Sequence, residues 1–244
     1  MNEQFGVGSV LGMSFRVYAR NFIAFTLITA VLYIPLLAWT VHISNTPVDH
    51  TSLKEVLVQL GVVLGLTAFL NSFVTATLTY GVVKDLQGQR ASIVSCVTVG
   101  FKRMLPALGV GLLAGLCMIG GLILILIPGI IVACMLYVAT PASVIEKPGV
   151  FGALRRSRDL TLGHKGGVFG ILFMLWLIGW GVSKIEAAAF TPTSVADVHL
   201  QMYISMGVQV ILGTLSSVVA AVAYYALRAE KEGTSANELA AVFE

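Results

Sequence analysis

The sequence predicts an all-α, polytopic membrane fold: six transmembrane helices arranged as three hairpins, each preceded by an amphipathic interfacial helix. Three observations lead there. The chain is 57% hydrophobic and 11% charged over 244 residues, whereas a soluble domain carries about 25% charge. Its apolar residues gather in runs long enough to cross a bilayer. Its basic residues gather between those runs, almost all on one side. A chain with mean hydropathy +0.90 cannot cover a water-facing surface, so its solvent is largely lipid. At this length, six spans leave no room for a folded catalytic domain.

A spanning helix needs about 20 mostly apolar residues. The runs 21–41, 56–83, 167–185 and 202–227 each supply one span. The run 106–145 is about twice the required length and is interrupted by Ile127-Pro128-Gly129. Pro-Gly marks a tight turn, so this run reads as two spans, 106–127 and 130–145. The first of these holds about a dozen Leu, Ile and Val residues. At roughly −0.3 to −0.6 kcal/mol each, they give a gross insertion energy of roughly −4 to −7 kcal/mol. One central Lys would cost about 2.5 to 3.5 kcal/mol, and no Lys, Arg, Asp or Glu lies at the middle of a span. Pro35 and Pro141 are expected to kink spans 1 and 4.

Orientation follows from the loops. Arg16, Arg20, Lys84, Arg90, Lys102, Arg103, Lys147, Arg155, Arg156, Arg158, Lys165, Arg228 and Lys231 fall on one side, and only Lys54 and Lys184 on the other. The positive-inside rule puts the first group, and both termini, in the cytoplasm. The N-terminus lacks the pattern of a cleavable signal peptide, so span 1 is expected to act as an uncleaved anchor. Three cysteines, an odd number without framework spacing, do not describe a disulfide scaffold.

Apolar residues recur at helical spacing ahead of three spans. The stripes are Val7, Val10, Leu11, Phe15 and Tyr18; Ile93, Val94, Val97, Phe101, Met104 and Leu105; and Val150, Phe151 and Leu154. Each reads as an amphipathic helix with its apolar face in the leaflet and its basic face toward phosphates. The unit of interfacial helix, span, turn and span then repeats over residues 5–86, 90–146 and 149–230 within one domain (1–230), followed by a short cytoplasmic tail (231–244). The pairs Gly61/Gly65, Gly111/Gly115 and Gly166/Gly170 are spaced for close helix packing.

Three stretches carry a family resemblance: Phe15-Arg16-Val17-Tyr18-Ala19-Arg20-Asn21-Phe22; Ile127-Pro128-Gly129-Ile130-Ile131 running on to Ala139-Thr140-Pro141-Ala142-Ser143-Val144-Ile145-Glu146-Lys147-Pro148-Gly149; and Ala153-Leu154-Arg155-Arg156-Ser157-Arg158-Asp159-Leu160-Thr161-Leu162-Gly163-His164. Together they resemble the membrane domain attached to some bacterial glycerophosphoryl diester phosphodiesterases, and the stand-alone YciC-like inner-membrane proteins. The resemblance implies a six-helix protein of the bacterial inner membrane. It does not imply phosphodiesterase activity, because that chemistry belongs to a separate soluble domain, and it carries over no catalytic residue.

Candidate site residues form three groups. Arg155, Arg156 and Arg158, with Lys102 and Arg103, are candidates for binding anionic lipid head groups, since guanidinium forks match phosphate. Thr67, Asn71 and Thr75 set polar groups at mid-span, where they line a cavity or hydrogen-bond a neighbouring helix. Asp49, His50, Asp197 and His199 on the outer side are possible metal ligands by residue type, but their spacing is irregular, and neither a metal nor a cofactor is expected. Trp176, Trp180 and Tyr203 fit an interfacial aromatic belt.

No nucleophile with its base, phosphate-binding loop or CxxC pair is present, so no enzymatic activity is expected. The basic residues follow topology and do not form a soluble patch, so nucleic acid is not an expected partner. The expected partners are anionic membrane lipids and a protein within the membrane. The first functional reading is a non-enzymatic scaffold or partner-binding subunit in envelope lipid homeostasis. The second is a transporter or channel for a small or amphiphilic molecule. A membrane-embedded lipid enzyme is the third. The topology makes a direct prediction: a reporter active only in the cytoplasm, fused after Glu244, gives signal, and an external-side reporter at the same point stays silent.

Overall fold

The computed structural model describes residues 5–44, 53–89, 92–124, 126–189 and 195–232. These form α1 (Val7–Arg20), α2 (Phe22–Ser44), α3 (Leu53–Leu86), α4 (Ile93–Leu124), α5 (Leu126–Leu136), α6 (Ala139–Ile145), α7 (Gly149–Thr161), α8 (Lys165–Ala189) and α9 (Val195–Glu232). No strand occurs among the described residues. Six segments are long and apolar enough to cross a membrane: α2, α3, the first 26 residues of α4, α5 with α6, α8, and α9 from Asp197. This is the chemistry of a multi-pass membrane protein.

The core is built on α9, which packs against α1, α2, α3, α6, α7 and α8. Its most apolar stretch is 67% buried, against 11% for α8. Val218, Val219, Ala221, Val222, Ala223, Tyr224 and Leu227 are fully buried. Apart from Tyr224 and Leu227 these are small or β-branched, which lets neighbouring backbones approach in a medium that supplies no hydrophobic drive between helices. The buried polar pair Thr214 and Thr29 ties α9 to α2 through a 2.9 Å hydrogen bond.

Close approach falls only in part at the glycines the spacing suggests. A Cβ on Gly100 would lie 1.9 Å from Thr77 Oγ1, so α3 and α4 cross there. Of the three predicted pairs, Gly111 meets Ser72 and Gly170 meets Val7, while Gly61, Gly65, Gly115 and Gly166 face open space. Spacing of four shows that two glycines share a helix face. It does not say whether that face has a partner.

The predicted turn at Ile127-Pro128-Gly129 is displaced. α4 runs to Leu124 and α5 starts at Leu126, so Pro128 and Gly129 sit in the first turn of α5. The first amides of a helix have no intrahelical acceptor, and proline loses nothing there. The backbones of α4 and α5 meet where a Cβ on Gly121 would stand 2.9 Å from Gly129 Cα.

Span 4 is broken, where a kink was expected. α5 ends at Leu136 and α6 begins at Ala139, with Val138 at φ −98°, ψ 12° between them. Pro141 explains the position: it has no N–H for the Tyr137 carbonyl four residues back, and its ring clashes with that carbonyl. Pro141 instead occupies the first turn of α6. Ser157 Oγ on α7 donates to the Met135 carbonyl at 2.7 Å, and Thr161 Oγ1 reaches it at 3.4 Å. Pro35 and Pro106, by contrast, lie within unbroken helices.

The three amphipathic segments differ from one another. In α1, Val10 and Tyr18 are buried and Val7 and Leu11 pack on the core, leaving only Phe15 of the stripe exposed. In α7, Val150 and Leu154 pack inward while Phe151 is exposed. The apolar stripes of α1 and α7 therefore seat largely on the protein. The third segment is the first part of α4, continuous with its span, and there Ile93, Val94, Phe101 and Leu105 remain exposed. Glycine at φ +92° (Gly163) closes α7 and turns the chain into α8.

Two substitutions in one helix test the packing. Gly100→Ala is expected to lower the thermal unfolding midpoint in detergent. Gly115→Ala, which meets nothing, is expected to leave it unchanged or raise it, since Ala favours helix over Gly by about 1 kcal/mol.

Candidate functional site

Between α3, α9 and the α5–α6 break lies a cavity of about 330 Å³. Asn71 and Thr75 face it from α3, and Tyr137, Thr140 and Pro141 from the break. Gly213, Ser216, Ser217 and Ala220 close it from α9. Asn71 and Ser217 each stand within about 5 Å of the midpoint of their helix, at 1.5 Å per residue, the depth of the middle of a hydrocarbon core about 30 Å thick. No lining residue carries a formal charge.

The break creates this site. An unbroken helix through residues 137–141 would present side chains only, whereas the non-helical step at Tyr137 and Val138 opens space beside the backbone. Irregular backbone at this depth is tolerated where protein or a cavity surrounds it. Tyr33 Oη donates to Asn71 Oδ1 at 2.5 Å, and Thr75 and Ser217 share a 3.2 Å hydroxyl hydrogen bond. Asn71 and Ser216 are exposed, so the cavity opens sideways. The Tyr137 hydroxyl is buried without a hydrogen-bond partner.

Of the three mid-span residues singled out, Asn71 and Thr75 line the cavity and Thr67 does not. Tyr137, Thr140, Ser216 and Ser217 escaped the sequence reading. The signal was a Ser-Ser pair in the middle of the last span and Thr-Pro in the fourth.

A second polar cluster sits at the basic end. Glu146, just beyond α6, accepts from Tyr224 Oη at 2.6 Å and from Arg156 Nε at 2.9 and 2.7 Å through its two oxygens. Arg156 also pairs with Glu232. Arg228 donates to Glu232 Oε2 at 2.8 Å and to Tyr224 Oη at 3.2 Å. Burial alone would lower the Arg156 pKa, but its bonds to Glu232 and Glu146 outweigh this and hold it above the ordinary range. Buried Asp85 of α3 pairs with Arg20 and accepts from Asn21 Nδ2 at 3.0 Å, pinning the α1–α2 joint. All three residues help to line a notch of about 340 Å³. All three acidic anchors stand beside lysine near the ends of spans, a pattern readable in Lys84-Asp85, Glu146-Lys147 and Lys231-Glu232.

The structure thus separates the predicted head-group residues. Arg156 is held within the protein, while Arg155, Arg158 and Lys102 are exposed and Arg103 is half-buried. Asp49 and His50 lie outside the described residues. Asp197 and His199 sit at the start of α9, with His199 Nε2 3.4 Å from Ser44 Oγ. No group of three metal-ligating side chains occurs among the described residues. Phe169, Phe173, Trp176 and Trp180 stack as a ladder along the exposed face of α8, with Lys184 Nζ 5.9 Å from the last ring.

No protein-family model, curated protein or solved structure matches the chain.

Glu146→Gln removes the charge that holds Arg156 and Tyr224 together. It is expected to destabilise the protein by about 1–3 kcal/mol, seen as a lower unfolding midpoint. Arg155→Gln, on the exposed side of α7, is expected to stay within about 0.5 kcal/mol of the parent.

Proposed function

We propose that this chain is a non-enzymatic protein of the bacterial inner membrane, with both termini in the cytoplasm, that acts in envelope lipid homeostasis by holding an amphiphilic molecule inside the bilayer. The helices pair as three hairpins, α2 with α3, α4 with α5–α6, and α8 with α9, each entered through an amphipathic basic segment. The likeness to the phosphodiesterase membrane domain supports this plan, as do the acidic anchors Asp85, Glu146 and Glu232 at corresponding ends of the second helix of each hairpin.

The observation that carries the reading is the uncharged polar cavity at mid-membrane depth, open to the side. An amphiphile offers what such a site takes: a polar group for the hydroxyls and an apolar chain that stays in lipid. Transport is the second reading, favoured by the same cavity. It requires a water path from one side, and toward the basic end Ala142, Ile145, Ala221 and Tyr224 are all fully buried. Exposed Arg155 and Arg158 would attract anionic lipid to the surface without holding it in the core.

Native mass spectrometry of the purified protein tests this. A lipid is expected to co-purify and to be lost in Ser217→Leu, which fills the cavity, while Arg155→Gln with Arg158→Gln keeps it. Retention by Ser217→Leu together with loss in the arginine variant would move the site to the surface and overturn the proposal. The transport reading is checked by Asn71→Cys in a background without Cys96, Cys117 and Cys134. Labelling by a membrane-impermeant maleimide from one side would favour transport.

A further inference from the structure

We infer that the mid-membrane cavity selects a neutral amphiphile, one whose polar end presents hydroxyl or ester groups, and rejects lipids with an ionised phosphate or carboxylate. This rests on the reading that the cavity holds an amphiphile at all, and it goes on to name the chemical class.

Four observations converge. First, the polar groups on offer are hydroxyls and one amide: Asn71, Thr75, Thr140, Ser216 and Ser217. Hydroxyls and amides both donate and accept, which matches an alcohol or an ester. An anion needs donors backed by positive charge, and none lines the site. Second, ionised groups are costly at this depth unless they are paired. The charges beyond the closed end are about 10 Å away, since Tyr224 lies seven residues along α9 from Ser217, and there Glu146 is paired with Arg156. No unpaired positive charge reaches the cavity to hold an anion. Third, Tyr137 lines the cavity while its hydroxyl is buried and without a partner. That hydroxyl is shielded from the cavity as the ring stands, and a turn of the ring toward the site would bring it beside a neutral donor or acceptor. Fourth, the access route is lateral. Asn71 and Ser216 are exposed and Ile211 nearby on α9 is 42% exposed, so a molecule enters from lipid with its chains still in the bilayer. A volume of about 330 Å³ falls at the small end of ligand pockets and suits a glycerol-sized head, with the tails left outside.

The full chain in phosphatidylcholine nanodiscs provides the test. Two photoactivatable probes with identical diazirine-bearing acyl chains are compared, a diacylglycerol and a phosphatidic acid, with crosslinked peptides mapped by mass spectrometry. Diacylglycerol is expected to label α3 around Asn71 and α9 around Ser217, and unlabelled diacylglycerol is expected to compete it away. Phosphatidic acid is expected to label those peptides at least tenfold less. Thr75→Val with Ser217→Ala is expected to cut diacylglycerol labelling about tenfold, as loss of one net hydrogen bond does, and Tyr137→Phe about threefold. If the double variant does not fold, competition in the unaltered protein decides alone. Equal labelling by phosphatidic acid would overturn the selectivity and leave the cavity as an amphiphile site. Labelling by both probes no stronger than at the exposed Trp176 face of α8 would overturn the site as well.

Discussion

A backbone carbonyl in a membrane protein needs a partner, and the structure turns on how the end of one helix is satisfied. Pro141 cannot donate to the Tyr137 carbonyl, and the α5 ladder ends at Leu136. The Met135 carbonyl then takes its hydrogen bond from Ser157, and a longer one from Thr161, both on α7. This draws α7 into the bundle. With Ser157 seated, the neighbouring Arg156 meets Glu146 and Glu232, and α7 is locked to the ends of α6 and α9. One proline thus links a broken span, the inward seat of a basic helix and an ion-pair cluster.

Two polar regions divide the molecule by chemistry. At the basic end, carboxylates and guanidiniums satisfy one another, and Tyr224 joins them to the core helix. About 10 Å further in along α9, all charge is gone and only hydroxyls and an amide remain around the cavity. The separation follows from the medium: ion pairs sit where water and head groups share the cost of charge, and neutral groups sit where they do not. The bundle is tight around α9 and open on the outer faces of α3 and α8.

Much of the fold is legible in the sequence. Hydropathy finds the six spans because length and apolarity are set by the bilayer, whatever the partners are. The positions of the breaks are harder. Ile127-Pro128-Gly129 looks like a turn, yet proline is equally at home in the first turn of a helix, and only the packing of Gly121 on Gly129 shows which applies. Pro141 looks like a kink, and stands beside a break where Ser157 and Thr161 bond the Met135 carbonyl at the end of α5. Of the cavity, Asn71 and Thr75 stand out as polar residues in an apolar run. Tyr137 and Ser217 do not, because their role depends on which helix faces which. Arg156 has the sequence of a lipid ligand, and loses that freedom to Glu146 and Glu232, residues 10 and 76 positions away.

The break at Tyr137 and Val138 is the feature on which the cavity and the seat of α7 both depend. Backbone chemical shifts of residues 134–141, measured by magnetic resonance on the protein in lipid, report it directly. Helical shifts through Leu136, non-helical values at Tyr137 and Val138, and helical shifts again from Ala139 are expected. Unbroken helical shifts across all eight positions would contradict the account.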